Sequence, residues 1–340
     1  MSTPLTLLRH GVDIGRVVYG LHAYRRSGEA TEGAWRSLLS LHCRTNGRSS
    51  DWFAKIVRRM RPPRAPTLVS GIVGSLSVAQ QGAIAAQIAK DGYYVFDRLA
   101  PREYCDEIER FARTTPAIVE GRGGQPDERV VFDPAAPISK TYRLPAEDII
   151  TSPALQRLMG DQALLAVAES YLAAHPILAS VNLWWSPSFG SEAGDDAAQM
   201  FHFDFDGAPI WLKFFIYLTD VDRDNGPHVF VRGSHAADHR AAAEILKRGY
   251  VRVSDDEIAE AFGADNVIEI CGPRGTVLAV DTRGFHKGKM PMSGYRLIAQ
   301  AMFCCPQFNF DSPRYRLPAD IGPVLSNALQ ATPDVFERFR

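Results

Sequence analysis

Two histidines and an aspartate in the second half of the 340-residue sequence have the spacing of ligands for one metal ion. His202 and Asp204 are two positions apart in the run FHFDFDG, and alternate side chains at the end of a strand point to the same face. A third ligand must come from a distant segment, and the run FHKG supplies His286 beside the apolar run TVLAVD. Two imidazoles and one carboxylate bind iron(II) and leave coordination positions open for a co-substrate and oxygen. The three residues therefore predict a mononuclear iron site that is also the catalytic site.

A buried cation supports this interpretation. Arg296 follows His286 by ten positions, in the apolar run GYRLIAQAMF, where a guanidinium without a partner would be costly to bury. The distal carboxylate of 2-oxoglutarate would provide a bidentate partner. A structural ion pair with a carboxylate of the protein is the alternative.

The segments that must position these residues fall into a helical half and a strand-rich half. Helical patterns cover 1–61, 77–90, 101–114 and 154–174, with a short strand at 93–97. From residue 177 onward, β-branched and aromatic runs alternate with turn signals, and the predicted strands are 177–185, 210–218, 228–232, 267–270, 275–281 and 295–304. Such spacing is typical of an antiparallel sandwich or jelly roll.

The domain organisation follows from the same pattern. We expect a basic helical extension at 1–64 and one catalytic domain at 65–340, with a helical insertion at about 239–262. Residues 65–74 look like a linker. Residues 120–133 are rich in Gly, Arg, Asp and Pro, which predicts an exposed loop that could serve as a lid.

Positive charge is concentrated at the N-terminus, although the formal net charge is −1. Residues 1–64 carry twelve Lys and Arg against four Asp and Glu, which leaves 26 against 35 in the rest of the chain. A basic amphipathic helix could contact an anionic membrane, or its apolar face could pack on the barrel or on a second subunit. Five cysteines without a CxxC spacing favour a reducing compartment. We expect a cytoplasmic protein that could lie against the inner face of the membrane, with no nucleic-acid partner and with the oligomeric state left open.

Taken together, the motifs resemble those of the phytanoyl-CoA dioxygenase family of iron(II)- and 2-oxoglutarate-dependent oxygenases. The similar stretches run in the family's order from about residue 77 to residue 308. They are DGYYVFDRLAPREY, HFDFDG, LKFFIYLTDVDRDNGPHVFVRGSH, and GTVLAVDTRGFHKG followed by the strand of Arg296. The resemblance implies a mainly β protein with flanking helices, built on a double-stranded β-helix, a cupin-like jelly roll, behind a helical N-terminal extension.

The resemblance also implies roles for individual residues. The three metal-site residues named above would bind iron, and Arg296 would bind the co-substrate 2-oxoglutarate. Asn182 and Phe215 would line the co-substrate pocket. Gly288 is a departure, because the family often has a serine there that contacts 2-oxoglutarate, so another donor such as Asn182 must serve or the contact is missing.

Several other polar residues near the metal ligands have structural alternatives. Asp206 is a rival carboxylate, but the family pairs its ligands as HxD and therefore favours Asp204. His235 ends the run RGSH, which in the family shapes the exit of a strand, so the resemblance implies a structural role rather than metal binding. His228 and His239 lie near the barrel mouth and could contact substrate, but we expect each to be a partly exposed histidine without such a role.

The expected activity is hydroxylation of a C–H bond in a small-molecule, sugar or lipid-linked substrate. Iron(II), 2-oxoglutarate and O2 would be required, and succinate and CO2 would be released. Asp204 argues against halogenation, because halogenases that resemble this family lack this carboxylate. A barrel that binds a ligand without oxidation and a cupin-type metal enzyme without 2-oxoglutarate are the alternatives, and Arg296 argues against the second.

Overall fold

The structure, a computed structural model, describes residues 4–120, 129–190, 192–194, 198–236, 238–305, 308–310 and 313–340. The helices are α1 Pro4–Ser27, α2 Glu32–Arg44, α3 Arg48–Met60, α4 Val78–Asp91, α5 Arg102–Thr114, α6 Ala146–Ile149, α7 Pro153–Met159, α8 Gln162–Leu172, α9 Arg240–Leu246, α10 Asp255–Phe262 and α11 Pro323–Ala331. The strands are β1 Val69–Gly71, β2 Gly74–Leu76, β3 Tyr93–Val95, β4 Ala117–Glu120, β5 Arg129–Val130, β6 Thr141–Arg143, β7 Ile177–Pro187, β8 Ile210–Tyr217, β9 His228–Val231, β10 Val267–Ile270, β11 Val277–Val280, β12 His286–Gly288 and β13 Tyr295–Cys305. Most of the predicted lid, residues 121–128, lies outside the described residues.

The strands form two principal antiparallel sheets. The larger has the order β3-β11-β8-β13-β7-β6-β4-β5, and the smaller has the order β10-β9-β12. The chain passes from β8 in the larger sheet to β9 and β10 in the smaller, returns to β11, crosses to β12 and returns to β13. This alternation between two sheets is the double-stranded β-helix, and the predicted mainly β fold with flanking helices is confirmed.

The central strand β13 shows how the alternation of side chains creates a cavity. One face packs in the core shared with the helices and consists of Leu297, Ala299, Ala301 and Phe303. The opposite face lines an internal cavity and consists of Arg296, Ile298, Gln300 and Met302. Because β13 pairs with β7 on one side and β8 on the other, the same alternation selects which residues of those strands face the cavity.

Helix α4 shows how local sequence signals begin and end a helix. The Ser77 hydroxyl accepts a hydrogen bond from the Gln80 N–H, and the Gln80 side chain accepts one from the Ser77 N–H. This capping box begins the helix, and Gly92 ends it with a left-handed φ of 88°. Strand β3 follows directly and joins the larger sheet beside β11.

The N-terminal segment is three helices, where the sequence predicted helical structure throughout 1–61. Helix α2 packs on the run that carries the metal ligands: the His42 ring stacks on Phe203 at a centroid distance of 5.8 Å, and the Trp35 ring meets the edge of Phe205 at 5.9 Å. Part of the extension therefore supports the site directly. No helix in the described ranges is both long and apolar enough to cross a membrane.

Several elements differ from the prediction. The segment 65–74 is not a plain linker, because it contains β1 and leads into β2, and the Ile72 N–H donates to Asp161 Oδ2 over 2.7 Å. The insertion at 239–262 is helical as predicted and contains two helices, α9 and α10. The short strands β4, β5 and β6 and the helix α11 carry too little periodicity to be predicted.

A buried histidine joins α8 to the C-terminal segment and makes stability depend on pH. His175 Nδ1 lies 2.6 Å from Glu169 Oε1, and its Nε2 lies 3.0 Å from Asp334 Oδ2. The hydrogen bond with Glu169 is the main cause of a raised pKa of His175, and it outweighs burial. A raised pKa stabilises the folded state below the unfolded pKa of about 6.5, and this contribution is lost as pH rises through the raised value.

The thermal midpoint of the wild type should therefore fall relative to that of His175→Gln as pH rises above about 6.5. Scanning calorimetry of both proteins across this window measures the difference. Parallel curves would contradict the role of His175.

Candidate metal centre

The segment of His202 and Asp204 meets His286 at the edge of the smaller sheet. His202 and His286 form an isolated antiparallel bridge, in which each N–H donates to the other's carbonyl over 3.0 and 2.8 Å. The Asp204 N–H donates to the Thr282 carbonyl over 2.8 Å. The predicted strand end at 202–204 is thus an extended segment outside the named strands, held by backbone hydrogen bonds to the segment that leads into β12.

This pairing brings the three predicted metal ligands together. One ligand atom from each of His202, Asp204 and His286 lies within 4.8 Å of the others. His202 Nε2 lies 3.6 Å from Asp204 Oδ1, and His286 Nε2 lies 3.3 Å from Asp204 Oδ2. Both carboxylate oxygens therefore face an imidazole nitrogen, which is the convergence that a single ion needs.

The two imidazoles are oriented for metal binding through Nε2. His202 Nδ1 donates to the Met200 carbonyl and His286 Nδ1 donates to the Gly284 carbonyl, both over 2.9 Å. These bonds place the proton on Nδ1 and leave the Nε2 lone pair available. Burial, with the neighbouring His286, lowers the pKa of His202 to about 3, so its imidazole is neutral at physiological pH.

A buried lysine that the sequence analysis did not select completes the electrostatics. Lys213 Nζ lies 2.7 Å from Asp204 Oδ2 and 2.7 Å from Asp206 Oδ2. Burial alone would raise the pKa of Asp204, but Lys213 and the two imidazoles outweigh it and hold that pKa well below its usual value. Burial dominates at Asp206, whose pKa is raised. The sequence feature that could have pointed to Lys213 is a charged residue within the apolar run IWLKFFIY, which forms a fully buried strand.

Replacing Lys213 by methionine should destabilise the metal-free protein by about 3 kcal/mol, because it leaves buried carboxylates without their cation. A divalent cation bound at Asp204 should restore much of that stability. Denaturant unfolding with a chelator and then with Mn(II) measures both effects, and Lys213→Arg is the matched control that keeps the charge. An equal loss with and without Mn(II) would show that the lysine does not balance the metal-site carboxylates.

The metal group opens into a cavity of about 420 Å³ that also contains Arg296. The Arg296 side chain is buried, and Nη1 donates to the Gly226 carbonyl while Nε has no partner among the described residues. Burial lowers the pKa of Arg296 to about 10. No ion pair with a carboxylate in the described ranges accounts for this cation, so an anionic ligand of the cavity fits it better than a structural pair does.

The other two predicted co-substrate residues also reach this cavity. Asn182 lines it from β7, where its Nδ2 donates to Ser180 Oγ over 3.3 Å, and Phe215 lines it from β8. Gln300 on β13 lies opposite both residues in the sheet register and was not predicted. Gly288 contacts the Arg296 guanidinium so closely that a Cβ at position 288 would collide with Arg296 Nη2. Gly288, where the resemblance implies a serine, thus leaves the space in which the Arg296 guanidinium lies.

The expectation that His228 is partly exposed was wrong. Its side chain is 6% exposed and lines the cavity, with its ring stacked on His286 at a centroid distance of 5.5 Å and an interplanar angle of 23°. His239 instead packs on Phe262 at 4.8 Å, outside the cavity, and His235 Nε2 meets the Ala89 carbonyl at 3.2 Å.

Comparisons with known proteins give the context. Residues 88–294, more than half of the chain, match the phytanoyl-CoA dioxygenase (PhyH) family. No curated protein matches the sequence. The matched range includes the three metal-site residues and ends two residues before Arg296.

Solved structures similar to this one include EctD from S. alaskensis with bound Fe, which is 20% identical, with 78% of this chain and 95% of that chain covered and a TM-score of 0.49. AviO1 from Streptomyces viridochromogenes Tue57 is 15% identical, with 70% and 100% covered and a TM-score of 0.46. SnoK, a non-heme alpha ketoglutarate dependent carbocyclase from nogalamycin biosynthesis, is 17% identical, with 71% and 87% covered and a TM-score of 0.45.

Proposed function

The chain belongs to the phytanoyl-CoA dioxygenase family and is an iron(II)- and 2-oxoglutarate-dependent oxygenase, and from this premise we propose that it hydroxylates a C–H bond of a small-molecule, sugar or lipid-linked substrate. One observation carries the proposal: the group of His202, Asp204 and His286 opens into the same cavity as the buried Arg296. A metal at the first and an anion at the second are the two attachment points that 2-oxoglutarate needs.

Each residue has a definite task in this reaction. Iron(II) and 2-oxoglutarate, when bound, supply the oxidising chemistry, with consumption of O2 and release of succinate and CO2. His202, Asp204 and His286 hold the metal through two neutral nitrogens and one carboxylate. Arg296 binds the distal carboxylate and thereby orients the co-substrate.

The charged and aromatic side chains that line the cavity support a polar substrate or a polar head group. Arg143 Nε donates to Glu120 Oε1 over 2.6 Å, and its guanidinium lies 5.6 Å from the centroid of the Trp184 ring. These three residues line the cavity together with Asp206. Charged groups of both signs at the entrance favour a substrate that carries hydrogen-bonding groups near the oxidised carbon.

The test is an anaerobic titration of the protein with iron(II) and then with 2-oxoglutarate. We expect a weak visible charge-transfer band of the metal-bound 2-oxo acid, and release of succinate when air is admitted. Binding without succinate, in the presence and absence of candidate substrates, would favour the non-catalytic barrel. Oxidation that does not depend on 2-oxoglutarate would favour a cupin-type enzyme of another class.

For residues 1–64 we propose a helical extension whose exposed side contacts an anionic membrane surface on the cytoplasmic side. Its exposed apolar side chains support this: Ile14 and Val18 of α1 and Trp52 and Met60 of α3 line one apolar depression of about 810 Å³. The local excess of Lys and Arg would provide the electrostatic attraction.

Sedimentation with vesicles that contain an acidic lipid should remove the protein from solution at low salt and release it at high salt. Neutral phosphatidylcholine vesicles are the control. Equal recovery in the supernatant with both kinds of vesicle would rule the contact out.

A further inference from the structure

His228 carries a buried polar atom that lacks a partner. Its Nε2 makes no hydrogen bond among the described residues, although the side chain is nearly fully buried in the cavity wall. The backbone of the residue is satisfied, since its N–H donates to Tyr217 Oη over 3.1 Å. Burying an imidazole nitrogen without a hydrogen bond is unfavourable, so Nε2 is expected to meet a ligand within the cavity.

Arg296 lies close to the backbone on both strands around His228. Strands β9 and β12 pair so that His228 lies opposite Gly288, and Gly288 is the residue against which the Arg296 guanidinium packs. Arg296 Nη1 also donates to the carbonyl of Gly226, two positions before His228. Two independent contacts therefore place the guanidinium beside this histidine.

The His228 side chain faces the metal ligands. Its ring stacks on that of His286, and its centroid lies 5.0 Å from the centroid of the Phe215 ring. His228 thus lies between a proposed metal ligand and Arg296. A co-substrate attached to the metal at one end and to Arg296 at the other would share this cavity with the His228 side chain.

We propose that His228 binds 2-oxoglutarate, by donating a hydrogen bond from Nε2–H to the distal carboxylate that Arg296 holds. This inference rests on the proposed function. Gly288 lets the guanidinium approach β12 closely, and the histidine opposite on β9 supplies the second hydrogen bond. The strand pair β9–β12 thereby contributes both the space for the cation and the neutral donor beside it.

The experiment measures the affinity of the Mn(II)-loaded protein for 2-oxoglutarate by calorimetry. His228→Phe keeps a planar ring against Phe215 and His286 but removes the donor, whereas His228→Gln keeps an N–H donor at similar reach. We expect the dissociation constant to rise roughly tenfold or more in the phenylalanine variant and by much less in the glutamine variant. His239→Gln, a histidine outside the cavity, should bind as the wild type does.

A 2-oxo acid of the same chain length without the distal carboxylate locates the interaction. Its affinity should be equal in the wild type and in His228→Phe, and the affinity for Mn(II) should also be unchanged. If His228→Phe bound 2-oxoglutarate as tightly as the wild type, or lost affinity for Mn(II) in parallel, the inference would be overturned. If the wild type itself failed to bind 2-oxoglutarate, the proposed function would fail first.

A measurement on the unaltered protein covers the case in which His228→Phe does not fold. In the zinc-loaded protein with ¹⁵N-labelled histidine, the Nε2 resonance of His228, assigned with His228→Gln, should shift when 2-oxoglutarate is added. The shift should not occur with the 2-oxo acid that lacks the distal carboxylate. A resonance that responds equally to both ligands would overturn the assignment.

Discussion

Asp204→Ala is expected to abolish metal binding and to lower 2-oxoglutarate turnover by at least about a thousandfold. The variant removes the single carboxylate from a group whose other ligands are neutral imidazoles, so the divalent cation loses its only anionic ligand among the three. Removal of residues that merely orient a ligand already lowers metal affinity by about 10- to 100-fold, and loss of the ligand itself should exceed this. Titration with Mn(II), followed by succinate release with iron(II), measures both effects.

Asp206→Ala is the matched control for this variant. Asp206 shares Lys213 with Asp204 but faces neither imidazole in the distances observed, so its removal should leave Mn(II) affinity within about tenfold of the wild type. The opposite pattern, in which Asp206→Ala loses the metal and Asp204→Ala retains it, would reverse the assignment of the carboxylate ligand.

Arg296→Met should raise the Michaelis constant for 2-oxoglutarate by about 100-fold, which corresponds to about 3 kcal/mol. Methionine fills similar space without charge, so the variant removes the partner of the distal carboxylate while the buried packing is largely kept. Affinity for the metal should not change, because the three proposed ligands are intact. Steady-state succinate formation as a function of 2-oxoglutarate concentration gives the constant.

Arg296→Lys separates charge from geometry. A lysine is a point charge and cannot form the parallel pair of hydrogen bonds of a guanidinium, so we expect an intermediate Michaelis constant. A 2-oxo acid without the distal carboxylate should bind equally to the wild type and to Arg296→Met. Unchanged 2-oxoglutarate kinetics in Arg296→Met would show that this arginine is structural.

Local patterns were sufficient for most of the fold. The strand bounds predicted for β7, β8, β9, β10 and β13 differ from the observed ones by no more than two residues at either end, because each strand is an apolar run bounded by turn residues. The helical pattern predicted at 77–90 likewise matches α4, Val78–Asp91, within one residue at each end. The sequence predicted helical structure across 1–61 but not its division into three helices, since their limits depend on tertiary contacts. The strands β4 to β6 were missed because they have too few residues to show a period.

Some residues of the candidate site could likewise be predicted from the sequence, and others could not. His202 and Asp204 are neighbours in sequence, and the family pattern points to His286 and Arg296, so their chemistry could be inferred without coordinates. Lys213 could have been suspected from its apolar strand, but nothing in the sequence says that it lies between two carboxylates.

The sequence by itself determined the family, the class of oxidant, the cofactors and the strand-rich architecture, because these follow from residue types at short spacing and from the order of motifs. Only the tertiary structure decided which polar residues share the cavity with the candidate metal ligands. His228 lies beside His286 because β9 pairs with β12. Lys213 contacts Asp204 because its strand β8 follows the segment of His202 and Asp204 in the chain and lies next to it in the fold. Such contacts depend on register between distant strands, and a shift of one residue would turn each of these side chains away from the cavity.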